Sequence, residues 1–173
     1  MKTLLTAGLI ALGATSAYAE SKDMVVSCTQ RVQDYAWYLD HPGEDMVATS
    51  KAFAEIFTED AVLKLNNAQF VEETFVGHDA IAARYLQGRD VMRFLHVTGN
   101  VRIVPTGEDT AMGTNYVTVY IHPIGGSMAE NSIQGIAEYR DEYRMTEDGC
   151  RISNRFAYLR LLGDDGAIAD PQP

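Results

Sequence analysis

From Met24 to Asp40 the apolar positions are Val25, Cys28, Val32, Tyr35, Ala36 and Leu39. Their steps of three and four predict an amphipathic helix, broken in "HPGED" by Pro42 and Gly43. A second helix is predicted from about Glu44 to Thr58, with Met46, Ser50, Phe53 and Phe57 on its buried stripe. "DAVLKL" reads as a short strand, "FVEETFVG" as another, and "HDAIAARYLQG" as a third helix closed by Gly88. Four long segments then read as strands: "RFLHVTGNVRI", "TAMGTNYVTVYIHP", "SIQGIAEYRDEYRM" and "CRISNRFAYLRLL". The breaks "PTGED", "PIGGS" and "TEDG" carry turn chemistry. Helices first and a long antiparallel sheet afterwards predict an α+β fold, with three helices on one face of a curved sheet. Such a sheet encloses a cavity more readily than a flat one.

The first nineteen residues, "MKTLLTAGLIALGATSAYA", follow a different pattern. Lys2, an apolar run from Leu4 to Leu12 and the small-x-small ending Ala17-Tyr18-Ala19 describe a secretory signal peptide cleaved after Ala19. The run is too short and wrongly flanked for a membrane span. The expected organisation is a leader over 1–19, one domain over 20–163 and a flexible tail over 164–173, in a periplasmic or secreted protein. The 24 acidic residues outnumber the 14 Lys and Arg, for a formal net charge of −10. That balance offers no footprint for nucleic acid or anionic lipid. In an oxidising compartment Cys28 and Cys150 either bridge the first helix to the last strand or pack as two buried thiols; spacing leaves both open. Two cysteines without a suitably spaced histidine form no zinc pattern.

Four positions break the apolar pattern. Asp40 continues the buried stripe of the first helix, with Tyr35 on the same side, and a carboxylate there needs a partner. It either joins a polar cluster or turns to solvent at the helix end. His96 alternates with Phe94 and Thr98 along its strand, opposite Leu95 and Val97. Continued without interruption, that alternation sets Val101 and Ile103 with Leu95, and Asn100 and Arg102 with His96. Arg160 shares a face with Ile152, Phe156 and Tyr158, so a guanidinium points where rings point. Asp141 shares a face with Tyr139 and Tyr143, where a cross-strand arginine pair would satisfy the sheet. His78 reads as a cap of the third helix, His41 as a loop residue and His122 as an exposed strand end. P-loops, dinucleotide glycine patterns and serine nucleophile motifs are absent.

"CTQRVQDYAWYLD", "FTEDAVLKL", "FVGHDAIAARY", "HVTGN", "AEYRDEYRM…DG" and "RFAYLR", in that order, resemble the SnoaL-like branch of the nuclear transport factor 2-like superfamily. The resemblance spans about Met24 to Leu162. It implies a cone-shaped fold, a homodimer, and a cavity between helices and sheet for a hydrophobic small molecule. Eliminating members use a carboxylate–histidine dyad, which Asp40 and His96 match in "LD" and "HxxxN" elements. The same resemblance assigns Tyr35 and Arg160 to the catalytic set. Phe94, Phe57, Tyr139, Tyr158 and Asn115 are the expected substrate-binding residues. Two departures stand out: Leu65 replaces a tyrosine of the first strand. Val119 and Ile121 occupy the place of a polar residue of the fourth, with His122 one residue off.

The implied chemistry is proton abstraction by a neutral imidazole steadied by a carboxylate, with neither cofactor nor metal. The expected activity is that of a dehydratase or isomerase. The competing expectation is a periplasmic module that only binds a lipophilic ligand, since a fold does not settle a function.

Overall fold

The computed structural model describes residues 11–66, 71–126, 133–162 and 167–168. Helix α1 (Ala11–Asp40) buries Cys28, Val32 and Tyr35, as their spacing requires. It begins within the predicted leader, whose first ten residues lie outside the described set. Helix α2 (Met46–Ala54) starts on Asp45, whose carboxylate accepts the Val47 and Ala48 N–H groups. It ends before Phe57 and Thr58, which already belong to β1 (Phe57–Asn66), because the β-favouring run Ile56-Phe57-Thr58 suits extended backbone. Then follow β2 (Glu72–Val76) and α3 (Gly77–Leu86). The long strands are β3 (Met92–Pro105), β4 (Thr110–Pro123), β5 (Ile133–Thr146) and β6 (Gly149–Leu162). Of the expected loose tail, Ala167–Ile168 pair with β6 as a two-residue β7, and its other residues lie outside the described set.

The sheet order is β2-β1-β6-β5-β4-β3, with β7 also on β6. The sheet is mixed, not wholly antiparallel: the chain passes through α3 and four strands before β6 returns parallel to β1. Every other pair is antiparallel. Helix α1 lies across β3 and β6, α3 covers β1, and α2 packs on α3. The sheet bends over them at bulges, where one strand carries extra residues against its neighbour. One lies between Gly99 and Arg102, with Asn100 at φ 53°. Others follow Ile136 and Glu142 on the β5–β6 ladder.

Those bulges reassign faces. Past Asn100, Val101 and Ile103 pack against the core on the same side as His96, and Arg102 turns outward. This reverses the uninterrupted alternation. In β6, Ser153 is left out of register between Ile152 and Asn154, so the inward set becomes Ile152, Arg155 and Ala157. Gly113 faces the same region. A Cβ there would stand 2.7 Å from both Ile103 Cδ1 and Tyr143 Cε2, so only glycine leaves room for the Tyr143 ring.

Cys28 and Cys150 form a disulfide, Cα atoms 5.1 Å apart, fastening α1 to the start of β6. The Cys150 N–H also donates to Ser27 Oγ at 3.0 Å.

Candidate active site

Helix α1 ends over β3, and the residue that ends it is Asp40. Its Oδ1 lies 2.5 Å from His96 Nδ1, and its Oδ2 accepts the His96 main-chain N–H at 2.9 Å. Both side chains are nearly buried. An ionised carboxylate only accepts, so the imidazole presents Nδ1–H to it, the tautomer that, when the ring is neutral, puts the lone pair on Nε2.

His96 is part of the wall of a cavity of about 450 Å³ between the helices and the inner sheet face. The rest of the lining is mostly apolar, with Leu39, Phe53, Leu63, Leu65, Val119 and Ile121 among it. This is the size range of small-molecule sites. Phe94, two residues along β3, stacks on His96 with ring centroids 6.3 Å apart. Tyr35 and Tyr139 close another part of the wall, their rings edge to face at 5.6 Å.

Arg155 lies against these two tyrosines, its guanidinium carbon 4.0 Å from the Tyr35 ring centre and 4.8 Å from that of Tyr139. It donates from Nε and Nη2 to Asp141 at 2.8 and 2.6 Å, both side chains fully buried. Tyr143 adds its hydroxyl to Asp141 Oδ2 at 2.6 Å. Burial works against the Arg155 charge. The Asp141 carboxylate more than offsets it, holding the guanidinium firmly protonated. Burial, aided by the same carboxylate, pushes the Tyr143 hydroxyl well above the ordinary phenol range. Burial also raises Tyr139, which therefore stays a neutral hydrogen-bond donor.

His96, Tyr35, Phe94 and Tyr139 thus meet at one cavity, and Asp40 reaches it only through His96, lining with it a separate, more polar groove. The remaining expected residues do not. Arg160 and Tyr158 face away because the Ser153 bulge shifts β6: Arg160 Nε pairs with Glu138 Oε2 at 3.4 Å, and Tyr158 stacks on Phe156 in an outer groove. Phe57 is fully buried in the aromatic core beside Tyr35 and Phe53, off the cavity wall. Asn115 is buried on the inner face of β4 but is also off the wall. Neither of its amide atoms has a partner among the described residues.

His122 is half-buried rather than exposed: Nε2 bonds Gly126 O and the buried Nδ1 has no partner among the described residues. It stays off the cavity wall, since the β3–β4 register has no irregularity there. His78 does not cap α3; its Nε2 meets Phe57 O at 3.1 Å. His41 stacks on Trp37 at 3.8 Å in the loop after α1. Asp141 does have its cross-strand arginine, and it is Arg155.

Arg89 and Arg84 also line the cavity and were not foreseen. Arg89 lies just beyond the glycine that closes α3, a place where a charge reads as solvated loop. Its burial comes from the carbonyls of two helix ends, which no local spacing reveals. Arg155 was hidden for a different reason: period-two counting puts it opposite Ile152, and only the bulge turns it inward.

The SnoaL-like domain family matches residues 24–156 of the chain. No curated protein matches. Among solved structures, a candidate scytalone dehydratase from Novosphingobium aromaticivorans is 17% identical, with a TM-score of 0.67 over 91% of this chain and 96% of that one. A hexachlorocyclohexane dehydrochlorinase is 15% identical, TM-score 0.59, over 95% and 99%. An NTF2-like protein with a cystatin-like fold, also from Novosphingobium aromaticivorans, is 20% identical, TM-score 0.61, over 92% of each. At these identities the structures speak for the fold, which is the NTF2-like α+β cone, and the family match covers most of the chain: the protein belongs to the SnoaL-like domain family.

Proposed function

We propose that this protein is a cofactor-free lyase of the dehydratase or isomerase type, acting on a hydrophobic cyclic small molecule. The carrying observation is the Asp40–His96 hydrogen bond at the wall of an apolar cavity. His96 Nε2 takes a proton from carbon beside a carbonyl or a leaving group. The released electron pair forms the new double bond as the bond to the leaving group breaks, or passes into an enolate. Asp40 holds the Nδ1 tautomer and stabilises the imidazolium that forms. Tyr35 and Tyr139, which share the wall, donate to the oxygen that gains charge, and the Arg155 guanidinium against their rings favours that negative charge. The solved relatives named for dehydration and dehydrochlorination catalyse eliminations of this kind by name, which supports the class of reaction without fixing the substrate.

One observation favours a second reading, a binding module without catalysis. Val119 and Ile121 put aliphatic carbon on the cavity wall where an acid would assist a leaving group. Screening the protein against hydroxylated steroids and cyclic hydroxy-ketones, with mass detection of lost water, separates the two. A ligand that binds tightly and returns unchanged supports the binding module. The signal sequence motivates the further proposal that the protein works outside the cytoplasm, and the Cys28–Cys150 bridge suits such a compartment.

A further inference from the structure

We propose that the cavity recognises an apolar ligand through a carboxylate seated against Arg89 and Arg84. The inference deepens the small-molecule reading above and rests on the same cavity. Arg89 is 4% exposed and part of its wall. Its Nε donates to Tyr85 O at 3.0 Å and its Nη1 to Leu39 O at 2.5 Å, two carbonyls near the C-terminal ends of α3 and α1. Its planar face lies between the rings of Tyr85, at 4.5 Å, and Phe94, at 4.7 Å. Arg84 joins the wall from the same helix, with a buried Nε that has no partner among the described residues. No carboxylate among the described residues forms an ion pair with either arginine. Asp40 is already held by His96.

Two guanidinium groups therefore share a largely apolar cavity with no ion-paired carboxylate among the described residues, the Asp40 charge acting on Arg89 only from beyond pairing distance. A buried cation is costly unless paired. The carbonyls meet part of that need, since helix C-termini carry partial negative charge. They take Nε and one N–H of Nη1, and not the whole donor set of the Arg89 guanidinium. A planar guanidinium fork matches carboxylates and phosphates, and of the two a carboxylate brings the smaller charge into an apolar cavity. The placement also serves the chemistry. Phe94 touches Arg89 on one side and stacks on His96 on the other. A ligand anchored at Arg89 lays its skeleton along the Phe94 ring and brings carbon beyond it to His96 Nε2.

The test compares 9-anthroate with 9-anthracenecarboxamide, the same shape without the charge, by fluorescence titration of the full chain. The carboxylate should bind at least about tenfold more tightly, the scale of one charge-assisted pair. Arg84→Gln and Arg89→Gln should each shrink that preference, and together remove it, while Arg89→Lys, which keeps the charge but not the fork, should keep only part of it. If Arg89→Gln fails to fold by circular dichroism, the wild-type pair of ligands and Arg84→Gln decide the matter. Equal binding of acid and amide would mean that Arg89 only ties two helix ends, and would overturn the proposal. So would binding of neither compound at millimolar concentration, or a preference that survives loss of both arginines. His96→Ala should leave the preference intact. Preference without turnover of any substrate thus counts against the lyase reading alone, and turnover without preference counts against the carboxylate alone.

Discussion

Asp40 grips His96 twice, taking the ring N–H on one carboxylate oxygen and the main-chain N–H on the other. The same two atoms that set the imidazole tautomer also pin the end of α1 to β3. Catalytic geometry and local fold therefore share one carboxylate, and a substitution there must be read on both.

His96→Ala should lower turnover by about 10²- to 10⁴-fold, the usual worth of a positioned general base, with ligand affinity nearly kept. Asp40→Asn should cost a comparable factor, because an amide can present N–H to Nδ1 and move the ring proton to Nε2. It should also cost about 1–3 kcal/mol of stability through the weakened bond to the His96 N–H. Steady-state kinetics beside urea melts separate the two effects. Full activity of Asp40→Asn would remove the carboxylate from the mechanism.

The Asp141–Arg155 pair makes a prediction of opposite sense for single and double substitutions. Removing one partner leaves an uncompensated charge at complete burial. Arg155→Met or Asp141→Leu alone should therefore destabilise the protein by about 3–5 kcal/mol. Replacing both with apolar residues should recover much of the loss. Guanidinium melts of the three variants decide it; additive losses would show that the pair is not acting as a unit.

The buried tyrosines make alkali a probe. Burial is the first cause that raises Tyr85, Tyr139 and Tyr143 above the ordinary phenol value. The folded chain keeps protons that the unfolded chain releases above about pH 10. Their contribution to stability is thus whole below that value and falls as pH rises beyond it. Urea midpoints should be flat from about pH 8 to about pH 9.5 and decline after that. Phenolate absorbance for Tyr139 and Tyr143 should appear only with unfolding.

What could be read in the sequence, and what could not, follows the range of the interaction. The three helices and the strands were legible because period 3.6 and period 2 are local. The dyad was visible as an oddity, a carboxylate on an apolar stripe and a histidine between a ring and a hydroxyl. Joining them took the family resemblance. Arg160 and Tyr158 were misplaced by a single extra residue, Ser153, which no count of alternation reveals. The parallel β1–β6 pairing and the burial of Arg89 depend on contacts between distant segments: Arg89 and Leu39 lie 50 positions apart. Local spacing carries no record of them.

The outer sheet face supplies the last prediction. Leu95 and Val97 are each 54% exposed and Met112 55%, with Tyr116 beside them at 46%. They sit on adjacent strands of one face, where the bulge at Asn100 also leaves Val104 outward. So many exposed apolar side chains on one face of long paired strands, interrupted by Arg102 and Thr114, are unusual for a monomer. The two-fold match of that face is itself, because a symmetric pair presents the same patch from both sides. Phe156 and Tyr158 extend the patch, while Glu138, tied to Arg140 and Arg160, supplies polar groups within reach of a partner's face. Sedimentation velocity at about 10 μM, well above the dissociation constant expected for an interface of standard size, should give a dimer. Leu95→Glu with Met112→Glu should shift it to monomer, at little cost to the fold, since neither side chain is in the core. A wild-type chain that sediments only as monomer would leave the patch without a second copy to cover it.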